Sequence, residues 1–532
     1  MKHRFTIAFT LALILLVLGA VSLAQNTPGV EADYVIVGGT LYDGSGNEPT
    51  IADLAIKGDR IVALGQVVAK PGAKVIRARS LVVAPGFIDL HTHSDTTIRQ
   101  KNTRANLNYL YQGVTTIVTG NCGSGPINVG QYYAEIEKHG AGSNVCHLIP
   151  HNSVRAAVMG NVNRPPSEEE LRRMQDLVER GMQEGAWGMS TGLIYNPGCY
   201  AKTDEIIALA RVVARYQGIY ASHIRDEGAS LLDAIQEAIT IGQKAGLPVH
   251  ISHIKCSGRL AWGKAGDAIN LIRKARELGL RVTADQYPYI ASSTSLAATL
   301  IPSIYREGTH HQMVQRLEDR EHGPRMRQAI EENIRRHQNG ETVRIAHYSK
   351  RPEWNGKSLA QIAQDQKRSV LDIVIEIERN GGASVVNFGM NEEDVRLYMR
   401  QAWTATASDG SATVPSAAVI HPRHYGTFPR KIGRYALEQR LISLEQAIRS
   451  ASGLPADILQ LPQRGYLRVG YYADVVVFDP ETFRDQATFD KPHQYATGVR
   501  YLFVNGQAVI VEGKYNGSLA GRPLRHQPRR TD

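Results

Sequence analysis

Several stretches of this chain end in side chains that bind metal ions. Pro85-Gly86-Phe87-Ile88-Asp89-Leu90-His91-Thr92-His93 carries two histidines two residues apart, and on a strand that spacing aims both imidazoles to the same side. Further along come Cys122 in Thr119-Gly120-Asn121-Cys122-Gly123, His223 in Ala221-Ser222-His223, His253 in His250-Ile251-Ser252-His253, and Asp409 in Ala407-Ser408-Asp409-Gly410. Singly, each has an ordinary account: a lone histidine satisfied in a core, a lone cysteine acting as a small buried hydrophobe. Together they offer the mixed nitrogen, sulfur and oxygen donors that suit zinc.

For distant residues to meet, the chain must bring strand ends to one place. Short apolar runs alternate with helical periodicity through the middle of the sequence, the pattern of βαβ units around a parallel sheet. Candidate strands end near Leu90, Thr119, Pro150, Ser190, His223, His253, Asp285 and Asp409. Ser167-Glu168-Glu169-Glu170 reads as a capping box, Thr203 and Ser230 as helix starts, and Gly218 and Gly246 as stops. Eight such units would close a (β/α)8 barrel over 85–455, whose strands bring their C-terminal ends to one face. The gap from Asp285 to Asp409 is too long for one unit and predicts an insertion at about 292–350, followed by more helix and the strand-like run Ala383 to Phe388. Which apolar run is the seventh or eighth strand is open at this level. Strand-and-turn texture at 31–84 and again at 456–520 predicts one small β-sandwich domain built from both chain ends, since neither part alone has enough apolar surface to be stable.

The 532 residues are 42% hydrophobic and 21% charged, which excludes collagen, low-complexity disorder and a polytopic membrane protein. Part of the net charge of +10 sits on Lys2 and Arg4 and on Arg522, Arg525, Arg529 and Arg530 at the two ends, and the rest is spread thinly over the folded part, without the local basic cluster and stacking aromatics of a nucleic-acid binder. Lys2, His3 and Arg4, an apolar run from Ile7 to Leu23, and Ser22-Leu23-Ala24 read as a cleaved signal peptide, 1–24. The mature protein is therefore expected to leave the membrane and work in the periplasm or outside the cell. Residues 521–532 read as a basic flexible tail.

The sequence resembles the amidohydrolase superfamily and, within it, the N-acyl-D-amino-acid deacylases (D-aminoacylases), over nearly the whole mature length. The resemblance lies in Gly86 to Asp95, Gly113-Val114-Thr115-Thr116, Gly120 to Gly123, Ser190 to Tyr195, Ser222 to Glu227, Ser252 to Lys255, Tyr287-Pro288-Tyr289, Ser408-Asp409-Gly410, His421-Pro422-Arg423 and Gly426 to Arg430. Cys122 separates this family from relatives that bridge two metals with a modified lysine. The resemblance implies a tightly held zinc on Cys122, His223 and His253, with a weaker second position near His91, His93 and Asp409 that shares Cys122. It implies water activated at neutral pH, and Asp409 moving the proton to the leaving amine. It also implies a pocket for a small substrate's free carboxylate, made by Arg423, Lys255, Tyr195 and Tyr287. The expected activity is hydrolysis of N-acyl-D-amino acids or D-containing dipeptides. The rivals are a cyclic-amide hydrolase of the hydantoinase or dihydroorotase type and a non-catalytic scaffold, which would have lost ligands. Gly410 to Pro415 and Ile149 to Ser153 depart from the family pattern and leave the acyl and side-chain preference open. His151, His250 and His347 have no assigned role. Cys146, Cys199 and Cys256 have no ligand assignment; a disulfide among them would need an oxidising compartment, and their spacing does not argue for one.

Overall fold

The computed structural model describes residues 29–527; the expected signal peptide and residues 528–532 lie outside the described residues. Parallel strands occupy the middle of the chain: β1 (Phe87–Asp89), β2 (Val114–Thr119), β3 (Asn144–His147, resuming at Ile149–Pro150), β4 (Gly188–Gly192), β5 (Ile219–His223), β6 (Val249–Ile251), β7 (Val282–Gln286) and β8 (Thr404–Thr406). Each pairs in parallel with the next. A parallel bridge between Thr92 and Gly410 returns the last to the first. Except for Thr283 every residue of these strands is buried, as strands covered on both faces require. The fold is mixed α/β, with sheets consistent with a barrel beside a sheet domain.

Local signals decide where the covering helices begin and end. Ser167 accepts the N–H of Glu170 while the Glu170 carboxylate accepts the N–H of Ser167, a complete capping box ahead of the helix Glu168–Gln183. Gly246 closes the helix Leu231–Ala245 in the left-handed conformation, but Ser230 makes no side-chain cap. Thr203 is already inside its helix, Thr203–Arg215, and its hydroxyl donates to Glu237 instead.

The insertion is longer than the sequence suggested. Its antiparallel sheet has Ser384–Asn387 in the centre, flanked by Ser292–Ser295 and Val343–His347. Its own apolar core includes Leu296, Met326, Ile330, Val343, Leu359, Ile373 and Val385. The unit therefore runs from about 292 to 388, not to 350, because its central strand is the last to arrive. That leaves Thr404–Thr406 as β8 and resolves the open strand assignment.

Both chain ends meet through Val82–Pro85, which pairs antiparallel with Val475–Phe478. The strands join one continuous nine-stranded sheet, where the sequence suggested a sandwich of two. Period two explains the all-apolar run Val475-Val476-Val477-Phe478. Val475 and Val477 pack with Ile36, Leu54 and Ile56 on one face, while Val476 and Phe478 join the main core on the other. Residues 521–526 are not a free tail. Gly521 and Pro523 bridge to Ala141 and Val145, Trp187 Nε1 donates to the Leu524 carbonyl at 2.6 Å, and Arg525 pairs with Glu137 at 2.8 Å. The buried indole N–H needs an acceptor, and this segment brings it. Among the described residues no helix is long and apolar enough to cross a membrane.

Candidate metal centre

The six candidate ligands meet at or just beyond the C-terminal ends of β1, β2, β5, β6 and β8. Cys122 Sγ lies 3.5 Å from His223 Nδ1, 3.4 Å from His253 Nε2 and 3.3 Å from His91 Nε2. Tetrahedral bonds of about 2.3 Å to sulfur and about 2.0 Å to nitrogen place those atoms about 3.5 Å apart, so this donor set fits zinc. Asp409 Oδ1 is 3.0 Å from His93 Nε2 and 3.6 Å from His91 Nε2. Cys122, His223 and His253 form one close group, His91, His253 and Asp409 a second, and His91, His93 and Cys122 a third, all sharing members. Burial, and then nearby carboxylates led by Asp409, push the Cys122 thiol well up against the opposing pull of Lys255; a metal cation bound to it would favour the thiolate. Burial also brings the His91 pKa down to about 4 against the pull of Asp285, leaving a neutral imidazole fit to bind metal.

The backbone is bent to achieve this. Cys122, His253 and Asp409 all have positive φ, at 50°, 37° and 50°. Such non-glycine residues cost about 1–3 kcal/mol each and persist where neighbours overdetermine them. Here the His253 N–H donates to Asp285 Oδ1 at 2.7 Å, and the Asp409 N–H to the His91 carbonyl at 2.8 Å. Beside Cys122 the N–H of Gly123 donates to Ser190 Oγ. Gly192, at the end of β4, is needed for close approach: a Cβ there would sit 2.2 Å from the Cys122 carbonyl oxygen.

A family model described as the amidohydrolase family matches residues 74–510. The chain belongs to the amidohydrolase family. The D-aminoacylase of Alcaligenes xylosoxydans xylosoxydans is 35% identical to it, over 92% of this chain and 97% of that protein. The N-acyl-D-glutamate deacylase of the same organism is 34% identical, over 93% and 99%. Among solved structures, the N-acyl-D-glutamate deacylase of Bordetella bronchiseptica, complexed with zinc and a phosphonate inhibitor that mimics the tetrahedral intermediate, is 32% identical. It superposes with a TM-score of 0.80 and covers 93% of this chain and 100% of its own.

In this amidohydrolase the four expected substrate-pocket residues also reach the centre. Arg423 Nη1 lies 2.8 Å from Asp409 Oδ2, and its guanidinium sits over the Tyr287 ring at 4.8 Å. Buried Arg423 Nε and Tyr287 Oη have no hydrogen-bond partner among the described residues. Lys255 Nζ is 2.8 Å from His253 Nδ1 and pairs with Glu227. Tyr195 packs its ring 5.0 Å from that of His223, and its hydroxyl lies 3.1 Å from Thr294 Oγ1, on the insertion.

The sequence reading passed over two carboxylates. Glu227 stands 3.1 Å from His253 Nδ1 and 3.8 Å from His223 Nε2. Asp285 faces His91 and His253 from the end of β7. Burial would favour their neutral forms, but Lys255 and the histidines around Glu227, and His91 and His250 around Asp285, hold both well below the usual carboxylate range. Their signal was position: one lies just past β5 in a matched motif, the other at a strand end. Of the unassigned histidines, His151 pairs with Glu205 beside the buried Arg155, away from the ligands. His347 is exposed on the insertion. The four cysteines are all free.

Proposed function

We propose that this amidohydrolase is an exported, zinc-dependent deacylase on a complete (β/α)8 barrel, which hydrolyses the amide bond of N-acyl-D-amino acids or D-containing dipeptides. One observation carries the reading: a zinc-sized group of Cys122, His223 and His253 stands beside a buried guanidinium and phenol with unfilled hydrogen-bonding capacity. A metal centre next to a carboxylate receptor is what an N-acyl amino acid requires. The likeness to D-aminoacylase and to N-acyl-D-glutamate deacylase over nearly the whole chain supports it.

A zinc ion bound there supplies Lewis acidity, polarising an amide carbonyl and lowering the pKa of water toward neutrality. The protein's own groups do the rest. Arg423 Nε and the Tyr287 hydroxyl receive the substrate carboxylate, with Lys255 adding positive charge and Tyr195 closing the side nearest the insertion. This fixes the scissile amide in one orientation before reaction. Burial would raise the Asp409 pKa, but Arg423 and the surrounding histidines hold its carboxyl well below the usual carboxylate range, so it is ionised. Its Oδ1, the oxygen turned away from Arg423, takes a proton from the attacking water and returns it to the leaving amine.

The test is amine release by the purified, zinc-loaded mature protein from paired N-acetyl-D- and N-acetyl-L-amino acids. Turnover of the D-forms alone is expected, falling by about 10²–10⁴-fold in Asp409→Asn. Failure to turn over any D-form, by protein shown to hold zinc, would sink the linear-amide reading and favour ring-opening hydrolysis. Export predicts a mature N-terminus near Gln25, read by N-terminal sequencing of the extracytoplasmic protein.

A further inference from the structure

His250 in β6 and Asp285 in β7 stand outside the ligand ring and touch it from behind. Both are buried. Asp285 Oδ1 accepts the N–H of His253 at 2.7 Å, and Oδ2 lies 3.5 Å from His91 Nδ1 and 2.7 Å from His250 Nε2. A single carboxylate thus reaches the ring of one ligand and the strained backbone of another.

A histidine that offers Nε2 to a metal carries its proton on Nδ1, and its orientation depends on what faces that proton. His91 offers Nε2 to the cluster, and its Nδ1 has no hydrogen-bond partner among the described residues, with the Asp285 carboxylate the acid that faces it. The direction of the contact behind Asp285 follows from the carboxylate, which can only accept: at 2.7 Å the proton between them lies on His250 Nε2, pointed at Asp285. On the far side of the ring Thr283 Oγ1 stands 2.9 Å from His250 Nδ1, and its hydroxyl donates to the Val249 carbonyl at 3.4 Å. His250, Asp285 and His91 therefore line up from the strands to a metal ligand.

We infer that His250 is a positioning residue: it fixes Asp285 and, through it, the ring of His91 and the backbone of His253 for metal binding. The inference rests on the metal reading of the site and not on the identity of the substrate. An ordinary polar pair in a core would stabilise the protein equally with and without metal, and this difference makes the two separable.

The experiment compares His250→Ala and His250→Gln with the parent by competition for zinc against a chromophoric chelator, alongside the rise in melting temperature that zinc produces. His250→Ala should bind zinc about 10–100-fold more weakly, the size usual for groups that support metal-ligating histidines. Its zinc-dependent rise in melting temperature should shrink accordingly. At fixed limiting zinc, kcat should fall while KM for the N-acyl substrate stays. His250→Gln, whose amide N–H can stand in for Nε2, should keep most of the affinity. Parent-like zinc affinity in His250→Ala overturns the inference, as does a glutamine variant no better than alanine. An unchanged zinc-dependent rise in melting temperature overturns it too, whatever happens to the metal-free protein. If no N-acyl-D-amino acid is turned over, the zinc readouts still decide the matter.

Discussion

The Arg423 guanidinium faces two ways: Nη1 lies 2.8 Å from Asp409 Oδ2 as an ion pair, and neither Nη1 nor the buried Nε has a hydrogen-bond partner among the described residues. In the proposed function a substrate carboxylate received at Nε makes a charge-assisted contact, worth about 1.5–3 kcal/mol. Arg423→Met should therefore lower kcat/KM for an N-acyl-D-amino acid by at least about 10-fold. Because Asp409 also loses its cation, part of that loss will appear in kcat, and the informative comparison is with substrate whose free carboxylate is an amide. The parent should prefer the acid strongly, and the variant should show little preference. A variant that still prefers the acid would place the carboxylate on Lys255 or Tyr195 instead.

The insertion is an element with its own core, yet it touches the site: the Ser293 carbonyl accepts Arg423 Nη2 at 3.4 Å, and Thr294 meets Tyr195. Leu359 is fully buried in that separate core. Leu359→Ala should cost about 2–5 kcal/mol locally. Hydrogen exchange should show lost protection over about 292–388, with the strands at Val82–Pro85 and Val475–Phe478 unaffected. Equal loss in both places would mean that the two cores unfold as one. Elsewhere the complete capping box at Ser167 predicts a smaller effect, about 1 kcal/mol for Ser167→Ala, read as a shifted urea midpoint with an unchanged slope.

For the whole molecule, one buried charge sets a pH dependence. Lys431, in the π-helical segment Arg430–Glu438, is buried and its Nζ has no hydrogen-bond partner among the described residues. Burial brings its pKa down to about 7. In the unfolded chain the same group holds its proton up to about pH 10.4. Between those values the unfolded state binds more protons than the folded one, so stability rises with pH, by up to about 1.4 kcal/mol per unit from this group. Lys431→Met keeps the packing and removes the titration. It should be more stable than the parent near neutral pH, and the gap between their urea midpoints should narrow at about pH 9.5. A gap that stays constant would show that Lys431 does not titrate in that window.

What the residues alone determined was chemistry and its order along the chain. Ligand types, the two-residue spacing of His91 and His93, strand ends close to those observed and the capping box at Ser167 are local properties, set by side-chain identity and backbone periodicity. The tertiary structure decided what depends on partners remote in sequence. Ser384–Asn387 belongs to the insertion because its partners are Ser292–Ser295 and Val343–His347, and 521–526 is anchored because Trp187 needs an acceptor. Asp285 and His250 matter only when β6 and β7 lie side by side. The left-handed conformations at Cys122, His253 and Asp409 fall on residues that are not glycine. Long-range contacts impose those conformations, and no local propensity records such contacts.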